Sequence, residues 1–252
     1  MDAQKHITAL RMHLLATSRL SQRALDYSIK GYEFGNLDIC SHVCRGEHEL
    51  REHHFKIGQL CRQLMTITVT PSDLRFVLAT RRLDRAFHAI YRAAVQITQD
   101  TTIFLNASSI MKCPALDRLG EFVNCSMRLC IIALFKQDAA HAETVLQSQG
   151  VWRRCELVFD HSRDSVNHRM ESHDIYALAI ARNLGLIAKQ AHVIADSVLF
   201  WLKGSDDLPA LEADGQDALN LLFAGCSTSM KTDSPPVSHH DISASSSAAI
   251  SP

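Results

Sequence analysis

The sequence predicts an all-α fold: a tandem pair of three-helix bundles followed by a disordered tail. Three observations predict it. Only 10 Gly and 6 Pro occur among 252 residues, about half the roughly 12% of an average chain. That is too little punctuation for a β-sandwich, a propeller or a Gly-rich doubly wound sheet. Apolar or small residues recur at Leu83, Phe87, Ile90, Ala94, Ile97, Thr101 and Phe104, in alternating steps of 4 and 3, the seam of a long bundle helix. A seam with the same steps runs through Leu184, Ala188, Ala191, Ala195, Val198 and Leu202. A shift of 101 residues superposes the two seams and pairs Asp73 with Asp174, Arg81 with Arg182, Leu83 with Leu184 and Ala94 with Ala195, which implies an internal duplication.

The first repeat, 1–106, divides into helices at about 4–33, 37–67 and 71–105. Gly31, Gly35 and Asn36 separate the first two, and Val69–Pro71 separates the next pair. The third helix has a marked start: Thr70 as N-cap, Pro71 at the first helical position and Asp73 three residues after the cap. The second repeat, 107–204, opens at Pro114 and divides at about 114–137, 138–168 and 172–203, with Gly204 closing the last helix. The segment 205–226 has room for a short extra helix around 209–224. The last stretch, 227–252, holds nine Ser and three of the six Pro with no apolar period, the composition of a disordered tail.

Composition bounds the function. The formal charge is −1, which gives no bulk reason for nucleic-acid binding. The longest apolar run, Leu129–Phe135, is far short of the ~20 residues of a membrane span. Arg11 and His13 interrupt the N-terminal apolar residues, so no signal-peptide core forms and a cytoplasmic chain is expected. The eight Cys form no C-x-x-C pair and read as small buried hydrophobes. No G-x-G-x-x-G, Walker or G-x-S-x-G motif occurs. The cluster from Glu47 to His54 fails as a zincin because His48 and His53 are five apart rather than four, and no Glu-x-x-His exists for a ferritin-like di-iron site. That cluster reads as a solvated helix face.

Ser72-Asp73-Leu74-Arg75, opening a long helix after a Pro, resembles the PhoU family of cytosolic regulators of phosphate uptake. Leu37–Leu64, with Val43, Leu50, Ile57, Cys61 and Leu64 on one face, resembles it too. Ile180-Ala181-Arg182-Asn183-Leu184 is similar to the family's I-A-R-N-L-E-R-I-G-D-H-A stretch, and Ala195-Asp196-Ser197-Val198 continues it. The resemblance spans about 5–204 and implies the tandem bundles. It also implies an acidic pair, E/D-x-x-x-D, in each repeat, whose spacing of four puts both groups on one helical face, where relatives are associated with metal clusters. Here the first repeat offers Asp84, His88 and Arg92 at those positions, and the second Gly185, Lys189 and Val193. One carboxylate and one imidazole make a degenerate metal site, Gly185 supplies no ligand, and Lys189 repels cations. The expectation is that the multinuclear cluster is lost and no cofactor is held.

Arg81, Arg85, His88 and Arg92 recur at steps of 4, 3 and 4, a basic stripe suited to an acidic partner surface or an anion. No nucleophile–base constellation is visible. The resemblance therefore implies a non-enzymatic, homodimeric regulator that negatively controls phosphate uptake through the phosphate ABC transporter and a sensor histidine kinase. Two alternatives stand beside it: an adaptor of the same fold serving a different transporter or kinase, and a helical-bundle metal-binding protein.

Overall fold

The computed structural model describes residues 2–67, 70–107, 113–148 and 172–204. The elements are α1 (Asp2–Phe34), α2 (Leu37–Cys44), α3 (Glu47–Met65), α4 (Pro71–Ala107), α5 (Pro114–Lys136), α6 (Ala139–Gln147) and α7 (Ser172–Lys203). No strand occurs among the described residues. In the first bundle α1 packs on α2, α3 and α4; in the second α7 packs on α5 and α6. Of the expected helix over 138–168 the described part is α6, which Ser148 caps; its remainder, the extra helix in 205–226 and the tail in 227–252 lie outside the described residues.

The first helix ends as expected. Gly31 lies inside α1, which runs to Phe34, one residue past the expected end. A Cβ at Gly31 would sit 2.5 Å from the Cys40 Sγ, so glycine lets α2 fold back closely on α1. The turn is made by Gly35 at φ 59° and by Asn36, whose side chain accepts hydrogen bonds from the Asp38 and Ile39 amides at 2.9 and 3.2 Å. The expected helix over 37–67 is broken between Cys44 and Glu47. The buried Tyr91 hydroxyl reaches into the break from α4 and donates to the Val43 carbonyl at 2.5 Å. A Cβ at Gly46 would lie 3.3 Å from the same hydroxyl. The break is thus a tertiary event: a side chain from another helix takes a carbonyl that the continuous helix would have used itself.

The expected start of α4 is present. Thr70 Oγ1 accepts from the Asp73 amide at 3.1 Å and donates to the Asp73 carboxylate at 2.7 Å. Gly204, at φ 72°, closes α7 and packs against the stem of Arg75. The whole seam of both long helices is buried, apart from the partly covered Leu202.

α4 and α7 lie antiparallel and join the bundles. Their register is set by Phe76 against Trp201, with ring centroids 4.8 Å apart, the Arg82–Asp196 ion pair, Asp100 with Asn183 at 3.2 Å, and Phe104 against Tyr176 at 6.1 Å. The Arg11 guanidinium of α1 lies 5.2 Å from the Phe76 ring and 5.9 Å from Trp201, so three helices meet there.

Candidate functional site

Asp84 is fully buried on the side of α4 that faces α3. His88 lies four positions further on, about one helical turn, so both look toward α3. The nearest group is His54 of α3, whose Nδ1 lies 2.7 Å from Asp84 Oδ2; Arg81 is 3.7 Å from the same oxygen. The His54 ring lies against His88, centroids 5.3 Å apart. Neither Asp84 oxygen has a well-aligned hydrogen bond, so this is a close electrostatic contact rather than a directed one. Burial pushes the Asp84 carboxyl up, and the His54 and Arg81 charges pull it back. Burial also lowers His88, as do the neighbouring His54 and Arg92 charges.

The next residue, His53, turns the other way, to α1. Its Nδ1 meets His13 Nδ1 at 2.9 Å while the ring centroids are 5.2 Å apart. The difference is about two imidazole radii, so the rings meet head-on and share one proton. Two ligands of one metal ion would instead converge on a third point. Among the described residues no three His, Cys, Asp or Glu side chains are grouped to hold a metal ion.

The Glu47–His54 cluster is therefore not one solvated face, as the sequence suggested. His48 and Glu52 are solvated, whereas His53 and His54 flank the buried Leu50–Ile57 seam and tie α3 to α1 and α4. His54 is the site residue that sequence reasoning missed. Its only signal was position: it lies four after Leu50 and three before Ile57, at the margin of the buried stripe.

A pH dependence follows. Burial, then His53 and Lys56, lower the pKa of His13 from its ordinary 6.5; His88 is lowered as described. Both are held neutral in the fold but protonate freely once unfolded, so their contribution is present above 6.5 and lost as pH falls below it. The urea midpoint is expected to drop between pH 7.5 and about pH 5. An unchanged midpoint over that interval counts against these assignments.

The basic stripe divides in the same way. Arg81 and His88 lie at the α3 side with Asp84. Arg85 and Arg92 point to solvent, with Arg85 Nε donating to the Arg81 carbonyl at 3.3 Å.

No protein-family model and no curated protein matches the sequence. Solved structures do. PhoU from Pseudomonas aeruginosa superposes with a TM-score of 0.72 at 17% identity, over 80% of this chain and 99% of that one. The phosphate transport system regulatory protein PhoU from Streptococcus pneumoniae superposes with a TM-score of 0.66 at 14% identity, over 82% of this chain and 100% of that one.

The chain has the PhoU fold.

Within the PhoU fold the motif residues take distinct positions. Asp73 caps α4, Arg75 packs at the end of α7, and Ser72 and Leu74 are exposed. Arg182 is exposed beside the buried Asn183. Asn183 donates to Asp100 at 3.2 Å and to the Ala179 carbonyl at 3.0 Å, while Gln96 donates to the other Asp100 oxygen at 2.9 Å. The Arg-Asn pair thus splits: Asn183 fastens α7 to α4, and Arg182 faces out. In this PhoU-like chain Lys189, at the position that aligns with His88 in the repeat, is exposed.

Proposed function

We propose that the chain is a regulator of phosphate homeostasis that restrains phosphate uptake and phosphate-starvation signalling. It acts in the cytoplasm, as a homodimer, by contact with the phosphate ABC transporter and a sensor histidine kinase. The observation that carries this reading is the superposition on nearly the full length of two PhoU chains, joined to the motif residues around Asp73 and Asn183. Among the described residues no helix is long and apolar enough to cross a membrane, in keeping with a membrane role exerted through partners.

The mode of action is contact between helix faces, without catalysis. The multinuclear metal cluster associated with the family is lost: Asp84 is committed to His54 and Arg81, and Gly185 and Lys189 stand where the second repeat needs ligands. The two bundles are read as a duplication, since their seams and Arg81 and Arg182 superpose on the same shift.

Deleting the gene and measuring phosphate uptake in replete medium tests the role. Raised uptake is expected; unchanged uptake removes the claim. Metal analysis of the purified chain tests the loss of the cluster, and several tightly held iron or zinc ions per chain would overturn it.

A further inference from the structure

We propose that the outer face of the α4–α7 pair docks an acidic amphipathic helix of a partner protein. The inference deepens the regulatory reading and rests on it for the assumption that the chain works by helix-face contact.

α4 is covered on three sides: by α1, through Ser21 on the Phe87 carbonyl; by α3, through His54 on Asp84; and by α7. The fourth side carries Arg85 and Arg92, both exposed. On α7 the corresponding stripe carries Arg182 and Lys189, also exposed. The Arg82–Asp196 pair bridges the two stripes at their shared rim, so they form one surface.

The charge on this surface is one-sided. Its carboxylates are already engaged by the opposite helix, Asp196 by Arg82 and Asp100 by Asn183. None of the ion pairs among the described residues takes up Arg85, Arg92 or Arg182, although the Arg85 charge also acts on the neighbouring buried Asp84. Cations concentrated on one face attract an acidic surface and steer its approach.

The apolar residues fix the kind of acidic partner. Leu74 and Leu78 are 41% and 44% exposed at one end of the face, Ile103 and Ile175 are each 50% exposed at the other, and Leu186, 43% exposed, lies between Arg182 and Lys189 on α7. The span from residue 78 to 103 on α4 is about 37 Å at the helical rise. Large apolar side chains at both ends, and Leu186 among the cations, match an amphipathic helix about 25 residues long, acidic in its middle turns and with apolar residues concentrated near its ends, lying in the groove between two antiparallel helices. A lipid surface fits less well, because interfacial helices pool their apolar side chains on a face that inserts and keep their cations at its edge.

The test uses the full chain and a synthetic, fluorescently labelled helix of about 25 residues with central Glu and terminal Leu. Fluorescence anisotropy is expected to show saturable binding that weakens with salt. The triple variant Arg85→Glu/Arg92→Glu/Arg182→Glu is expected to lose about tenfold or more in affinity, and Arg62→Glu on α3, outside the face, to lose none. A peptide with Lys in place of Glu is expected to bind the triple variant and not the parent, which shows that the variant is folded. Three results overturn the proposal: no binding to the parent, equal binding by the triple variant, or cosedimentation with phosphatidylserine–phosphatidylcholine vesicles but no peptide binding. If peptide binding behaves as expected while gene deletion leaves phosphate uptake unchanged, the regulatory reading falls and the docking face stands.

Discussion

Replacing His54 by alanine is expected to destabilise the chain by about 2 kcal/mol, within the range for leaving a buried polar group without its partner. Replacing Asp84 by asparagine is expected to cost about 1 kcal/mol, the net value of an ordinary polar contact. The asymmetry comes from who can reach water. Asp84 is fully buried, so without His54 its carboxylate keeps only Arg81, at 3.7 Å. His54 and Arg81 are 41% and 36% exposed and rehydrate when Asp84 loses its charge. The double variant is therefore expected to be more stable than the sum of the two single losses. The pH dependence gives a second readout. Burial raises the Asp84 pKa, so Asp84 takes up a proton in the fold before it does in the unfolded chain. The deficit of His54→Ala should then shrink as pH falls and the stranded carboxylate neutralises. Urea denaturation of the four proteins at two pH values decides it. Equal losses from the two single variants would show that the pair is not held as described.

The larger loss is expected at Trp201. This ring is 6% exposed, packs on Phe76 of α4 and lies under Arg11 of α1. Trp201→Ala removes the largest side chain at the point where the last helix of the second bundle meets two helices of the first. A loss of about 3–5 kcal/mol is expected, the sum of lost transfer energy and an unfilled cavity. Trp201→Phe keeps most of the apolar volume and is expected to cost about 1–1.5 kcal/mol. Denaturant midpoints for the two variants separate the cases, and an alanine variant within about 1 kcal/mol of the parent would mean that the contact does not hold the bundles together.

The long helices were legible because their signals are local or periodic. The alternating steps from Leu83 to Phe104 and from Leu184 to Leu202 mark two stripes that are buried almost throughout. Thr70, Pro71 and Asp73 mark the start of α4 through bonds that span three residues. The break at Gly46 was not legible, because its cause is Tyr91, 45 positions away in sequence. The role of Gly31 inside α1 was not legible either, because the close approach of Cys40 that it permits exists only once α2 folds back on α1.

The candidate site divides along the same line. Asp84 and His88 could be placed on one face from their spacing alone. That His54 completes their surroundings could not, since a helix-edge imidazole reads the same whether it meets solvent or a carboxylate. The basic stripe was visible as Arg81, Arg85, His88 and Arg92, yet its partition into two inward and two outward groups depends on where α3 lies. Its continuation onto Arg182 and Lys189 depends on the antiparallel register of α4 and α7.

By itself, then, the sequence determined the helical class, the two seams and the start of α4, because hydrophobic period and capping are set by residues within a few turns of one another. Only the tertiary structure decided which charged groups are buried with a partner and which face outward, because burial and charge pairing are properties of neighbours in space.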